Sequence, residues 1–346
     1  MSKFWLSLGG SLFVLSAVLT AIPAAVVAES RLPPNAGLTD ILFPRKPIDT
    51  SITGINAFAN DAQFGSIRSQ LQEVKNTLRL KYIRVLFAWD DNVQPTPASR
   101  INFSFYDNIA KNIPRGTEAL VILTGVPSWM QNSANWIDGD PRKTFVQRWV
   151  KKVVNRYQRT GQIKAFQIWN EPNDSSNIHN SWLSLTDSPN NYVEMLSQAS
   201  SFIKSRKRVK KVVNAATTAI NQGYPRALDY NKSMISAGAL NLVDRWAVHY
   251  YGSQYENVLR SGGVGDFLKG LSKPIWITES GAKGINEQRE YVERTWTFLK
   301  SSAPGIARFY LYQFTENSAS DETYGLRNPT PGFTVSDLYI YLRDRS

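Results

Sequence analysis

Ala165-Phe166-Gln167-Ile168-Trp169-Asn170-Glu171-Pro172 is a largely apolar run that ends on a glutamate. Trp276-Ile277-Thr278-Glu279-Ser280-Gly281 repeats that pattern nearer the C-terminus. Each reads as a buried strand with a carboxylate at its tip, and such a group costs desolvation free energy unless something uses it. Outward from these two stretches lie six more short apolar runs: Ile52–Ala57, Tyr82–Phe87, Ala119–Leu123, Val212–Ala215, Trp246–Tyr250 and Phe309–Phe314. Several are apolar almost throughout, as parallel strands covered on both faces are.

The segments between the runs have a helical period. Ile67, Leu71, Val74 and Leu78 recur at spacings of four, three and four, the pattern of one helix face. Phe145, Trp149, Val153 and Tyr157 recur every four residues behind Asp140-Pro141, a cap followed by a first-turn proline. Ser188-Pro189 opens the next helix the same way, and Val292, Trp296 and Leu299 mark a later one. Eight strands alternating with helices predict an α/β chain folded as a single (β/α)8 barrel. A doubly wound open sheet would be expected to carry a glycine-rich phosphate loop after its first strand, and Gly54-Ile55-Asn56-Ala57 is not one. Glu279 lies 108 residues after Glu171, three steps of 36. A barrel of about 250 residues in eight units has steps of that order, so the glutamates should end strands four and seven, at the face where barrel active sites sit.

Length and composition fit this fold. The chain has 346 residues, 42% of them hydrophobic, enough for one large core. Residues 1–28 read as an export signal: Lys3, then a long apolar run, then Val26-Val27-Ala28 before Glu29. The competing reading is a retained membrane anchor, because Phe4–Ala28 is long enough to span a bilayer. Either way the expected location is secreted or cell envelope. Residues 29–50, with Pro33, Pro34, Pro44 and Pro47, read as a linker into a catalytic domain over 51–346. There are no cysteines and only two histidines, His179 and His249, 70 residues apart. Disulfides are excluded, and no metal-ligand spacing is present. Neither a metal nor a cofactor is expected. The formal charge is +12, which suits a basic solvated surface, or an acidic polysaccharide or envelope surface as partner. Its densest cluster, Lys204 to Lys211, falls at a helix end, where cations complement the dipole. No nucleic-acid-binding motif accompanies it. The expected state is a monomer.

Two strand-tip glutamates supply what glycosidic-bond cleavage needs, a proton donor and a nucleophile or base. Trp169-Asn170-Glu171-Pro172 and Thr278-Glu279-Ser280-Gly281, in that order and at that separation, resemble the two signatures of clan A, the retaining glycoside hydrolases built on TIM barrels. The resemblance covers roughly residues 51–346. It implies that Glu171 is the acid/base, that Glu279 is the nucleophile, and that Asn170 donates to the sugar 2-hydroxyl. Arg84, in Tyr82-Ile83-Arg84-Val85, is similar to the clan's strand-two arginine, which keeps the nucleophile ionised. His249-Tyr250-Tyr251 is similar to its His-x-Tyr, in which the tyrosine bonds the nucleophile and the histidine lines the subsite. Trp89, Trp129 and Tyr312 fall at strand tips as candidate sugar platforms, with Trp136 and Trp182 extending them, and His179 reads as a surface residue. The sequence departs from the clan in Tyr310-Leu311-Tyr312-Gln313-Phe314, where many members carry a strand-eight tryptophan, and at Asn56, where some carry histidine. The expected activity is cleavage of a β-linked polysaccharide or oligosaccharide, possibly acidic. The alternatives are a transglycosylase using the same glutamates and a noncatalytic carbohydrate-binding barrel.

Overall fold

The computed structural model describes residues 38–57, 60, 62–208, 210–316, 320–328 and 334–345. The stretch read as an export signal or anchor, 1–28, lies outside them. No helix among the described residues is long and apolar enough to cross a membrane. Eight parallel strands form one sheet: β1 Thr53–Asn56, β2 Tyr82–Ala88, β3 Glu118–Thr124, β4 Ile163–Ile168, β5 Lys211–Val213, β6 Trp246–Tyr251, β7 Ile275–Gly281 and β8 Ile306–Leu311. They are hydrogen-bonded in the order β5-β4-β3-β2-β1-β8-β7-β6, and β1 pairs in parallel with both β2 and β8. The remaining seam, between β5 and β6, is drawn together by one bridge, Val213 to Arg245. There the side chain of Asn214 does the work of a strand. It accepts from the Ala247 amide at 2.7 Å and donates to the Ala247 carbonyl at 3.2 Å. The chain is a (β/α)8 barrel.

All eight expected runs contain a strand. The last begins at Ile306, three residues before the expected Phe309, and ends at Leu311. Arg308 concealed that start, because a charged side chain breaks an apolar run. Its guanidinium lies 3.5 Å from the Tyr82 ring centroid and 4.4 Å from that of Trp276, so aromatic faces shelter it in the barrel floor.

Some helices open on side-chain caps, while Ser188, ahead of Pro189–Lys204, makes no capping bond. Ser66 accepts from the Ser69 amide and opens Ile67–Asn76, whose buried face is Ile67, Gln70, Leu71 and Val74. Asp140 accepts from the Arg142 amide ahead of Pro141–Phe145, which continues through a π-helical turn, Val146–Val150, to Tyr157. Phe145, Trp149, Val153 and Tyr157 are all buried against the strands. A smaller core of Leu120, Ala165, Val213, Ala247, Trp276 and Tyr310 fills the barrel interior. Gly54 lies against it. A Cβ there would fall 2.7 Å from the Tyr310 ring and 2.9 Å from Tyr82 Cβ. Gly54→Ala is therefore expected to destabilise the fold by about 1–3 kcal/mol through overpacking, measurable as a lower urea midpoint with an unchanged slope; an unchanged midpoint would mean that the floor yields freely.

Of the stretch read as a linker, residues 38–50 are described, and they run along the outside of the barrel. Phe43 stacks on Tyr255 with ring centroids 4.0 Å apart, the Lys46 amide donates to the Glu293 carbonyl, and Arg45 Nε donates to Glu293 Oε2 at 2.6 Å.

Candidate active site

In a strand alternate side chains face the same side, so Arg84 and Leu86 of β2 share the barrel interior. Arg84 is 5% exposed and makes four bonds from its planar fork. It donates to Glu279 Oε1 at 2.6 Å, Asn56 Oδ1 at 2.7 Å, Asn170 Oδ1 at 2.9 Å and Gln167 Oε1 at 2.9 Å. One guanidinium thus ties β2 to β1, β4 and β7 near their C-terminal ends. Tyr251, at the end of β6, donates its hydroxyl to Glu279 Oε2 at 2.8 Å. Both oxygens of Glu279 are therefore engaged.

His249 stands between the two glutamates. Its Nδ1 is 2.8 Å from Glu171 Oε1, and its Nε2 is 3.4 Å from Glu279 Oε1. One oxygen of Glu171 lies within 4.8 Å of one oxygen of Glu279. The two carboxylates have different surroundings. The Glu279 side chain is 11% exposed and the Glu171 side chain 25%. Burial pushes the Glu279 carboxyl upward, but the neighbouring charges of His249 and Arg84 and the bonds from Tyr251 and Arg84 outweigh it, so the group is held below the ordinary carboxylate value. The same carboxylate, after burial, drives the Tyr251 phenol well above its usual value, so Tyr251 is a hydrogen-bond donor at any working pH.

The loop that carries Glu171 departs from common backbone geometry. Trp169 has φ 73° and Glu171 φ 42°, a left-handed region that non-glycine residues rarely occupy unless neighbours over-determine it. Here the neighbour is Asn180, which is fully buried. It accepts from the Trp169 indole at 2.7 Å and donates to the carbonyls of Glu171 and Asp174, each at 2.8 Å. The Glu171 amide is bonded to the Ala216 carbonyl, and Asn173 pairs with Thr218 through two bonds.

The structure thus gathers Arg84, Asn170, Glu171, His249, Tyr251 and Glu279 in one cluster. Tyr312 joins its edge, with its ring 5.9 Å from that of Tyr251 and 5.9 Å from Tyr324; burial first, then the Glu279 charge, push its phenol up to about 12. Trp129 is partly buried, with its indole N–H on the Gln94 carbonyl and Arg148 over its ring. Trp89 requires a correction. It was expected as a sugar platform, but it is 0% exposed, enclosed by Trp129, Trp149 and Phe145. Trp136 donates to the Met130 carbonyl, and Trp182 packs on the half-buried His179. Sequence reasoning missed Gln167, Asn180 and Leu86. Gln167 is the one polar residue of an otherwise apolar strand tip, which is a readable signal. Leu86 carried none, yet it is 54% exposed beside Arg84, an apolar surface open at the mouth.

Among the described residues, Glu171, His249 and Glu279 are the group whose donor atoms could surround a metal ion. Arg84 already occupies Glu279 Oε1, and His249 Nδ1 is taken by Glu171. A fixed cation bonded within the cluster suits charge and proton management better than coordination.

A parallel barrel that brings two carboxylates together over the C-terminal ends of its strands, one clamped by an arginine and one open to solvent, has the layout of a sugar-cleaving enzyme. The chain belongs to the glycosyl hydrolase catalytic core family: residues 131–318, more than half its length, match that family, and they include Glu171, His249 and Glu279. No curated protein matches the chain. Its fold is similar to that of a family 39 glycoside hydrolase from the gut symbiont Bacteroides cellulosilyticus WH2, with TM-score 0.60 and 14% identity, over 86% of this chain and 64% of that one. It is also similar to a monomeric beta-xylosidase from Caulobacter crescentus CB15, with TM-score 0.57 and 15% identity over 86% and 69% of the two chains, and to a beta-glucosidase from Thermotoga maritima, with TM-score 0.54 and 15% identity over 79% and 84%. The chain therefore spans under two thirds of the length of the first of these.

Proposed function

We propose that this protein is a clan A retaining glycosidase that cleaves a β-linked oligosaccharide or polysaccharide by double displacement, and that it acts outside the cytoplasm. The observation that carries the reading is the short approach of the two carboxylates, one oxygen of Glu171 lying within 4.8 Å of one oxygen of Glu279 with His249 between them. Retaining enzymes hold their carboxyls about 5–5.5 Å apart, whereas inverting enzymes leave about 6.5–9.5 Å for a water. The surroundings then assign the roles. Glu279, buried and held ionised, attacks the anomeric carbon. Glu171, more exposed and hydrogen-bonded to His249, protonates the departing oxygen and later takes a proton from the incoming water. Arg84 holds Oδ1 of Asn170, which leaves the amide nitrogen as the donor for a sugar hydroxyl. The neighbours named for beta-xylosidase and beta-glucosidase activity are consistent with a β-linked substrate.

The test is a mechanism-based probe, a 2-deoxy-2-fluoroglycoside with an activated leaving group, offered across a panel of sugars. Peptide mapping should find the label on Glu279, and the first-formed product should keep the β configuration. A label elsewhere, or an inverted product, would defeat the reading. The same reaction gives Asn180 a measurable role as a positioning residue. Asn180→Ala frees the left-handed turn under Glu171, and kcat is expected to fall about 10- to 100-fold, the scale of a misplaced catalytic group. The loss should be smaller for an activated aryl leaving group, which needs little proton donation. A stability loss with equal rates on both substrates would make Asn180 structural alone.

A further inference from the structure

The formal charge of +12 is unevenly distributed over the barrel. The loops around the mouth carry acids: Asp90 and Asp91 after β2 and Asp174 and Asp187 after β4, whereas Asp138 and Asp140 after β3 are paired with Lys143 and Arg142. The opposite end, where strands begin, is basic. Between the helix Pro189–Lys204 and β5 the chain presents Arg206, Lys207, Arg208 and Lys210, and the turn before β4 adds Arg159, with Lys164 just inside the strand. These two loops enclose a cleft of about 650 Å³ lined by Gln158, Arg159, Ser205, Arg206, Lys207 and Arg208.

The cations of this cleft are uncompensated. Arg156, two residues before Gln158, is paired with Asp107 through bonds of 2.6 and 2.5 Å. Among the described residues, Arg159, Lys164, Lys207 and Arg208 form no ion pair. Lys210, held by the carbonyls of Thr160 and Ile163, sits below the ordinary lysine value, first through burial and then through repulsion from Lys164 and Arg208. Concentrated like charge in a concave site is a free-energy cost that an anionic ligand would relieve.

The lining narrows the ligand class. The exposed large apolar side chains of the described residues are Ile41, Leu86, Ile178, Leu259 and Ile340. None lies in these loops, so the described residues of the face offer no wedge for a bilayer. Its aromatic ring, Phe202, is covered by Arg206 at 4.2 Å and Lys151 at 5.1 Å, which leaves no platform for stacking bases. What remains is a polar cleft with an amide, a hydroxyl and a row of cations.

We propose that this face is a second, noncatalytic site that binds an anionic polysaccharide. Arg159, Arg206, Lys207 and Arg208 meet its carboxylates or sulfates, while Gln158 and Ser205 meet its hydroxyls. The polymer holds the enzyme by the end opposite its mouth, and the acids around the mouth turn the same polymer away from the catalytic cleft. The basic charge then serves attachment, and the substrate itself is a neutral glycan. The binding site stands independently of the hydrolytic reading.

Sodium alginate is the probe, with dextran as the neutral control, in affinity electrophoresis and calorimetry on the full chain. Alginate should bind and dextran should not, and affinity should fall at least tenfold between about 50 and about 300 mM NaCl as screening shortens the reach of the charges. Combining Arg159→Ser, Arg206→Ser, Lys207→Ser and Arg208→Ser should weaken binding at least tenfold. Combining Arg68→Ser, Arg100→Ser, Arg226→Ser and Lys232→Ser removes equal charge from exposed positions elsewhere and should change it less than twofold. Should the first variant fail to fold, the pair Lys207→Ser and Arg208→Ser, both exposed, answers the same question. Equal losses in the two charge variants, salt-independent binding, no binding, or tighter binding to phosphatidylglycerol vesicles or single-stranded DNA than to alginate would each overturn the proposal.

Discussion

Glu279→Ala is expected to lower kcat by roughly 10⁴-fold or more, about 5.5 kcal/mol or more of transition-state stabilisation. The size follows from the number of groups organised around this one carboxylate. Arg84 and Tyr251 each donate to it, at 2.6 and 2.8 Å, and His249 lies 3.4 Å away. Without the carboxylate there is no atom to form the glycosyl-enzyme, and the neighbours that kept it ionised have nothing to act on. Azide is expected to fill the space left by the side chain and attack an activated β-glycoside directly, giving an α-glycosyl azide. Azide with Glu171→Ala should instead intercept the intermediate on Glu279 and give the β-glycosyl azide. Product configuration therefore separates the two roles without reliance on rates. Residual activity above a few per cent in carefully purified Glu279→Ala, or the two azide products exchanged, would reverse or remove the assignment.

The second large effect concerns Arg84 and pH. In the wild-type protein the Glu279 carboxyl is held below its ordinary value, so the carboxylate stays charged until the pH falls below the usual carboxylate range. Its contribution to stability is present above the unfolded-state value and is lost as pH falls through the depressed folded one. In Arg84→Met the burial remains while one of the two opposing charges is gone. The acid limb of kcat/KM should move upward by about 1–3 pH units, the range an adjacent opposite charge commands. The variant also leaves Glu279 buried beside one fewer cation, which should cost about 3–5 kcal/mol near neutrality. That loss should shrink on acidification, because protonating Glu279 removes the uncompensated charge. A limb that stays in place, with a stability deficit independent of pH, would show that Arg84 organises Asn56, Gln167 and Asn170 without controlling the ionisation of Glu279.

The barrel was legible because its strands are buried on both faces. Residues such as Val85, Val121, Ile168 and Ile277 must be apolar whichever way they point, and that leaves continuous runs. The reading lost register where a strand carried charge, as at Arg308, because shelter between two rings arises only after folding. The closure of the barrel was not legible either, since Asn214 completes the seam with its side chain and one asparagine in a sequence signals no such thing. Site legibility had the same limit. Glu171, Glu279 and Tyr251 stand at or beside strand ends and Arg84 within β2, at positions the pattern fixes. Asn180 acts from a short helix, Ile178–Trp182, nine residues beyond Glu171, and the tryptophans that drew attention as platforms divide between surface and interior according to neighbours, as Trp89 shows, with no mark on the residues themselves.

His249 gives the proposed mechanism a means of communication. Its two ring nitrogens look toward different glutamates, so an event at one is felt at the other across a single five-membered ring. When Glu279 becomes an ester its negative charge vanishes, and Glu171 is then the remaining acidic neighbour of the imidazole. The covalent step on one side of the ring thus resets the electric field on the far side at the moment when a proton donor has to become a proton acceptor.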